Sequence, residues 1–144
     1  YIQEAVCFGK DKPYMTAILN IDMNSVGRWA DKNRILYTEY SDLSRNPKVV
    51  ELIEQQVEQL MSKLSPQNRV KKFSILHKQF TADQGELTRT LKIRRNFVEQ
   101  KYKALIDGMY SDTQEVSLTS LQTEFIEEEV SLRVIQLKIE QGVA

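Results

Sequence analysis

Cysteine, histidine and glycine are all scarce in this chain, and each scarcity closes off a class of chemistry. A single cysteine, Cys7, can form no disulfide within the chain and no thiolate metal cluster; it sits in an apolar run, and a reducing, cytoplasmic setting is the expectation. A single histidine, His77, follows a strand pattern with no carboxylate or cysteine near it in sequence, so packing rather than acid–base catalysis is expected of it. The five glycines, Gly9, Gly27, Gly85, Gly108 and Gly142, are scattered. None belongs to a Gly-rich turn followed by Lys-Ser or Lys-Thr, so the chain has no phosphate cradle of its own. Paired carboxylates beside a histidine, a serine nucleophile with partners and a metal-ligand cluster are missing too, and no metal is assigned to any residue. No apolar run is long enough to cross a bilayer and no secretory signal is present, which leaves membrane contact at most peripheral.

Charge of one sign is also lacking overall, since 20 basic residues balance 20 acidic ones. The balance hides an uneven distribution. Between Arg69 and Lys103 stand Arg69, Lys71, Lys72, Lys78, Arg89, Lys92, Arg94, Arg95, Lys101 and Lys103, against Asp83, Glu86 and Glu99. From Ser111 onward the sign reverses, with Asp112, Glu115, Glu124, Glu127, Glu128, Glu129 and Glu140 facing Arg133 and Lys138. Aromatic residues are few and not interleaved with the basic run, which argues against a nucleic-acid partner.

At 144 residues one domain with its own core is expected, with no room for a second catalytic domain. The chain opens at Tyr1 inside a strand pattern and without an initiator methionine, so it is expected to be cut from something longer. Residues 2–8 and 14–21 read as two strands joined by Gly9-Lys10-Asp11-Lys12-Pro13, a β-hairpin. Asp22 caps a helix that carries Val26, Trp29 and Ala30 inward and ends near Asn33, with Trp29 in the core. Residues 34–46 form a polar connection with a helical turn at 41–44, its Tyr37 and Tyr40 read as packing. Pro47 opens a longer helix lined by Val50, Ile53, Val57, Leu60, Met61 and Leu64, which Ser65-Pro66 ends. Val70, Phe73 and Ile75 then mark a strand, and Val98, Tyr102, Leu105, Ile106 and Met109 one face of a helix over 94–109. In the tail, Val116, Leu118, Leu121, Phe125 and Ile126 have rough helical spacing, whereas residues 130–139 alternate, so helix and then strand is the expectation. That strand needs an edge to pair with. Its own sheet and a second copy, in a homodimer formed by strand exchange through 111–144, are both open to it.

The stretch with chemistry in it is Gly85-Glu86-Leu87-Thr88-Arg89-Thr90-Leu91-Lys92-Ile93-Arg94-Arg95, a turn and a short extended piece ahead of a helix. It resembles the C-terminal lysine motif of adenylate-forming enzymes, in the form typical of long-chain fatty acyl-CoA synthetases. Tyr1-Ile2-Gln3-Glu4-Ala5-Val6 with Pro13 to Leu19 is similar to the hairpin of that family's C-terminal domain, and Val26-Gly27-Arg28-Trp29-Ala30 to its first helix. Where the motif usually has proline, this chain has Arg89.

The resemblance implies an α+β fold, a small sheet (the β-hairpin plus further strands) flanked by about three helices. Residues 1–110 would be the C-terminal lid domain of an acyl-CoA ligase, and 111–144 an extension of helix and strand. It implies Lys92 as the adenylation lysine, with Thr88 and Arg94 as nucleotide contacts, and ATP, CoA and Mg²⁺ as requirements of the full enzyme, none held tightly by this part alone. It also implies that the N-terminal adenylation domain of the same chain is the partner, and fatty acid, ATP and CoA the substrates. The contrasting possibility is a non-catalytic interaction module whose basic 69–103 surface docks an anionic partner.

Overall fold

The computed structural model describes the backbone of residues 1–123 and 126–137, with side chains for all of these except 119–123 and 126–128. Strands β1 (Ile2–Phe8) and β2 (Met15–Ile21) form the expected hairpin, antiparallel with Val6 opposite Ile18. After helices α1 (Met23–Lys32), α2 (Tyr40–Arg45) and α3 (Pro47–Ser62) and a 3₁₀ turn at Pro66–Asn68, the chain returns as β3 (Val70–Ile75). β3 lies parallel to β2. Helices α4 (Arg95–Lys101) and α5 (Lys103–Met109) follow, then strands β4 (Glu115–Thr123), β5 (Ile126–Arg133) and β6 (Ile135–Gln136). β6 pairs antiparallel with β3, giving the sheet order β1-β2-β3-β6, and β4 with β5 makes a separate two-stranded ribbon.

The helix starts are chemically specified. Asp22 Oδ1 accepts from the backbone N–H of Asn24 at 3.0 Å and Ser25 at 3.3 Å, and Asn46 Oδ1 does the same for Lys48 at 2.9 Å and Val49 at 3.4 Å. Both satisfy amides that a helix leaves without partners, and Pro47 removes one more.

The sheet is covered on both faces because β2 and β3 send alternate side chains to two cores. Ala17, Leu19, Ile21, Phe73 and Ile75 join Val26, Ala30, Leu43, Val49, Ile53 and Val57 on the α1–α3 side. Ile18 and Leu76 join Val6, Phe8, Phe80, Val98, Leu105 and Met109 on the α4–α5 side. Trp29 and Tyr37 are partly buried against the first core, as is Tyr40, whose hydroxyl accepts from Ile21 N at 2.9 Å. The expected α+β architecture therefore stands.

Two expectations are corrected. Of the helix expected across 116–126, residues 116–123 lie instead in strand β4, with Val116 opposite Leu132 and Leu118 opposite Val130, and Ile126 opens β5. Val116 and Leu118 are two apart, and that period lets both pack against the second core while Ser117 stays outside. Gly108 makes the close approach possible, because a Cβ there would lie 2.2 Å from Val116 Cγ2. The helix expected over 94–109 is interrupted at Tyr102 (φ −105°, ψ 25°), although Tyr102 N still bonds Val98 O and Ile106 N bonds Tyr102 O, each at 3.0 Å. Of the alternating tail strand, Ile135 and Leu137 pack in the first core and take the edge of this chain's own β3; Phe125 and Ile139 lie outside the described residues.

The tail thus supplies core as well as edge. Leu132 is 2% exposed, and Leu132→Ala is expected to cost about 2–4 kcal/mol in urea unfolding, the loss typical of a truncated core leucine. An unchanged midpoint would mean that the ribbon does not pack as described.

Candidate functional site: a lysine hairpin on a buried carboxylate

Residues 81–94 leave β3 and fold into a small hairpin ahead of α4. Gly85 turns the chain with φ 81°, and Phe97 covers it so closely that a Cβ would lie 2.9 Å from the ring. Both constraints call for glycine. Leu87 and Ile93 then bridge as antiparallel partners. Thr88 N donates to Lys92 O at 2.8 Å and Leu91 N to Thr88 O at 2.9 Å, which leaves Arg89, Thr90 and Leu91 as a three-residue tip. Leu91, with φ 64°, takes the left-handed position that such tips use. The side chain of Thr88 closes the turn further, accepting from Lys92 N at 3.1 Å and lying 3.1 Å from the Thr90 hydroxyl. Arg89 occupies a position where proline would fit a turn, and the hydrogen bonds hold the turn without it.

Lys92 emerges at the base of this tip, exposed and with no ion-pair partner among the described residues. Its backbone is held at both N–H and C=O while its side chain is left to reach. Thr88 lies directly across the hairpin, but its hydroxyl is engaged in the turn. Arg94 is exposed and donates to Gly85 O at 3.0 Å, with its guanidinium 5.0 Å from the Phe97 ring centre. Arg95 donates to Cys7 O and lies 5.2 Å from the ring centre of Phe8, tying the start of α4 to β1. The structure brings Thr88, Lys92 and Arg94 together, and gives Thr88 and Arg94 structural work within the hairpin.

What the sequence reading missed is the residue under the hairpin. Glu86 is fully buried. Its Oε1 receives Lys78 Nζ at 2.5 Å and Thr81 N at 3.1 Å, and its Oε2 receives the Tyr102 hydroxyl and lies 3.2 Å from Lys101 Nζ. Burial alone would raise its pKa; hydrogen bonds from Lys78 and Tyr102, the Lys78 charge and the Thr81 N–H outweigh burial and hold the carboxyl below its ordinary range. Burial, then the hydrogen bond to Glu86 and its charge, push Tyr102 upward, so the phenol stays a neutral donor. No local signal in the sequence marks Glu86 as buried, since its partner Tyr102 lies 16 residues further on.

A second buried polar residue carries the cluster's footing. Asn20, 2% exposed on β2, donates to Lys78 O at 2.9 Å and accepts from Phe80 N at 2.8 Å, fixing the backbone beside Lys78. His77, between them and β3, is pushed down to about 4 by burial and by the charges of Lys78 and Arg45. It is neutral at physiological pH, in line with a packing role. Among the described residues no group of three or more His, Cys, Asp or Glu is placed to hold a metal, and no helix is long and apolar enough to cross a membrane.

The geometry is that of a mixed-sheet domain carrying an exposed lysine on a braced hairpin. The family described as AMP-binding enzyme C-terminal domain matches residues 1–114, and the chain belongs to it. It is 32% identical over 111 residues to the long-chain-fatty-acid–CoA ligase FadD15 of Mycobacterium tuberculosis, covering 76% of this chain and 18% of that protein. The long-chain-fatty-acid–CoA ligase ACSBG2 of Rattus norvegicus is 48% identical over 48 residues (33% of this chain, 7% of that protein). The ligase heimdall of Drosophila melanogaster is 36% identical over 70 residues (48% and 10%). The chain therefore spans less than a fifth of the length of these relatives. No solved structure matches it.

Two measurements follow from this geometry. A leucine with φ 64° is strained, so Leu91→Gly is expected to raise stability by about 1 kcal/mol in urea unfolding; a loss would mean that Leu91 makes contacts worth more than the strain. For pH, His77 has a folded-state value of about 4 against an ordinary 6.5, so the unfolded chain binds its proton first. Stability is then lost as pH falls from 6.5 towards 4. Glu86, depressed from an ordinary 4.5, adds loss of the same sign below that value. The urea midpoint is expected to fall across this window and the 6.5-to-4 part to flatten in His77→Gln; an equal slope in the variant would remove His77 from the account.

Proposed function

We propose that this chain is the lid of a long-chain fatty-acid–CoA ligase and delivers Lys92 to the step that joins fatty acid to AMP. The observation that carries the proposal is the presentation of Lys92, a cation with no ion-pair partner among the described residues, on a hairpin closed by backbone hydrogen bonds, within the part matched by the family. The ligases it resembles are named for long-chain fatty acids and CoA, which supports those substrates.

In adenylation a carboxylate oxygen attacks the α-phosphorus of ATP, the bond to the β-phosphate oxygen breaks, and pyrophosphate leaves. Two anionic groups must approach, and charge builds on the phosphoryl oxygens. An ammonium on a flexible four-carbon stem relieves both without the fixed fork of a guanidinium. Lys92 is in that role; Arg94, anchored on Gly85 and Phe97, and Thr88 sit beside it as candidate nucleotide contacts. The residues here fit one side of a polyphosphate and no more, so the adenylation domain preceding this segment would supply the cradle, and Mg²⁺ would travel with the phosphates. The second half-reaction, attack of the CoA thiolate on the acyl carbonyl with release of AMP, would use the domain after it has turned on its partner. Residues 111–144 would be an extension of that lid, and Val116, Leu118, Val130, Leu132 and Ile135 of its described part pack against the two cores.

Lys92→Ala in the full-length enzyme is expected to slow fatty-acid-dependent pyrophosphate exchange into ATP about a hundredfold to a thousandfold, the usual loss of one charge-stabilising contact. Thioester formation from supplied acyl-adenylate should be retained. Unchanged exchange would return Lys92 to the role of a solvated cation.

A further inference from the structure

Glu86 is placed where support of the lysine hairpin matters most. Its N–H donates to Thr81 O at 3.0 Å, its C=O accepts from Arg94 N at 2.9 Å, and the residues between Glu86 and Arg94 are the hairpin itself. The backbone of the hairpin joins the domain at this root, beside the packing of Leu87 and Ile93 on the second core. The carboxylate below the root then gathers three separate segments: Lys78, on the stretch that Asn20 fixes to β2; Thr81, at the start of the turn; and Lys101 with Tyr102, at the junction of α4 and α5.

A buried ion cluster is a weak device for stability, because desolvation consumes most of its Coulomb attraction and an apolar filling of the same volume does as well. Its distinctive product is geometry: charged hydrogen bonds with defined directions, each satisfied in one arrangement. Lys78 and Lys101 also outnumber the one carboxylate, so the cluster leaves a net positive charge beneath a hairpin that already carries Arg89, Lys92 and Arg94. The position has the sign that an incoming anion requires.

Resting on the adenylation reading above, we propose that Glu86 is a positioning residue for Lys92: the Lys78–Glu86–Tyr102–Lys101 cluster fixes the hairpin root so that the ammonium is presented in one place. Glu86 touches no substrate and acts through the lysine.

The test uses the full-length ligase containing this chain, with the two half-reactions measured separately. Glu86→Gln keeps the shape and removes the charge, and Lys78 and Lys101, with side chains 19% and 31% exposed, can turn their ammoniums to water. Glu86→Gln is expected to lower the maximal rate of pyrophosphate exchange by about tenfold to a hundredfold while changing the KM for ATP by less than about threefold, the range for a displaced catalytic group. Thioester formation from supplied acyl-adenylate is expected to stay within about twofold. Combined with Lys92→Ala, Glu86→Gln is expected to add nothing, since it acts through a group no longer there. Equal loss of both half-reactions, or full additivity with Lys92→Ala, would assign Glu86 to general stability and overturn the proposal. If Lys92→Ala impairs exchange and Glu86→Gln does not, the positioning proposal alone falls; if Lys92→Ala has no effect, the adenylation reading falls first. Should Glu86→Gln not fold, Tyr102→Phe removes one bond to the carboxylate and keeps the ring in the core. The same pattern at about threefold to tenfold is then expected, and an unimpaired Tyr102→Phe overturns the proposal.

Discussion

One carboxylate, removed from water and surrounded by two ammoniums, a phenol and a backbone amide, is the constraint on which the functional end of this domain rests. Glu86 cannot be buried alone, and each partner it requires pins a different piece of chain. Lys78 brings in the segment that leaves β3, and Tyr102 and Lys101 bring in the two helices. The break between α4 and α5 falls at Tyr102, the residue that reaches the carboxylate. The hairpin above is the local consequence of satisfying the group below.

The result is a division of labour between a stiff root and a free tip. The root's backbone is tied at Glu86 N–H and C=O, Leu87 N–H, Thr88 N–H and Lys92 C=O, while the Lys92 side chain is left in water. Entropy is removed from the backbone and left in the four-carbon stem, a division that suits the proposed adenylation role, in which the ammonium follows a phosphate whose position changes during reaction.

Much of this was legible in the residues. The period-2 runs of Ile2–Phe8 and Met15–Ile21, the caps Asp22 and Asn46-Pro47, and the helical spacing from Val50 to Val57 are local signals, and local structure obeyed them. The lysine motif was legible only through its resemblance to a known family pattern, since Lys92 by itself is one cation among many. The ribbon was not, since Val116 and Leu118 have a strand's spacing while Leu118, Leu121 and Phe125 have a helix's, and the groove that Gly108 leaves beside α5 favours the strand. Glu86 and Asn20 were illegible for a different reason. Much of their meaning lies in partners distant in the chain, such as Tyr102 for Glu86 and Phe80 for Asn20, and a polar residue gives no sign in sequence of whether it will be buried. Pairing of that kind is a property of the assembled fold.

The sheet order has a consequence for how the domain comes into being. Phe73 of β3 pairs with Ala17 on one side, already made when β3 is synthesised, and on the other with Ile135, which emerges from the ribosome long afterwards. During translation the sheet must therefore wait with an open flank, able to recruit any extended segment nearby. Lys71 and Lys72, placed at the start of that same strand, put charge on the waiting flank, the arrangement that discourages neighbouring nascent chains from pairing there. When the tail arrives, Leu137 N bonds to Lys71 O at 2.9 Å and closes the vacancy from within.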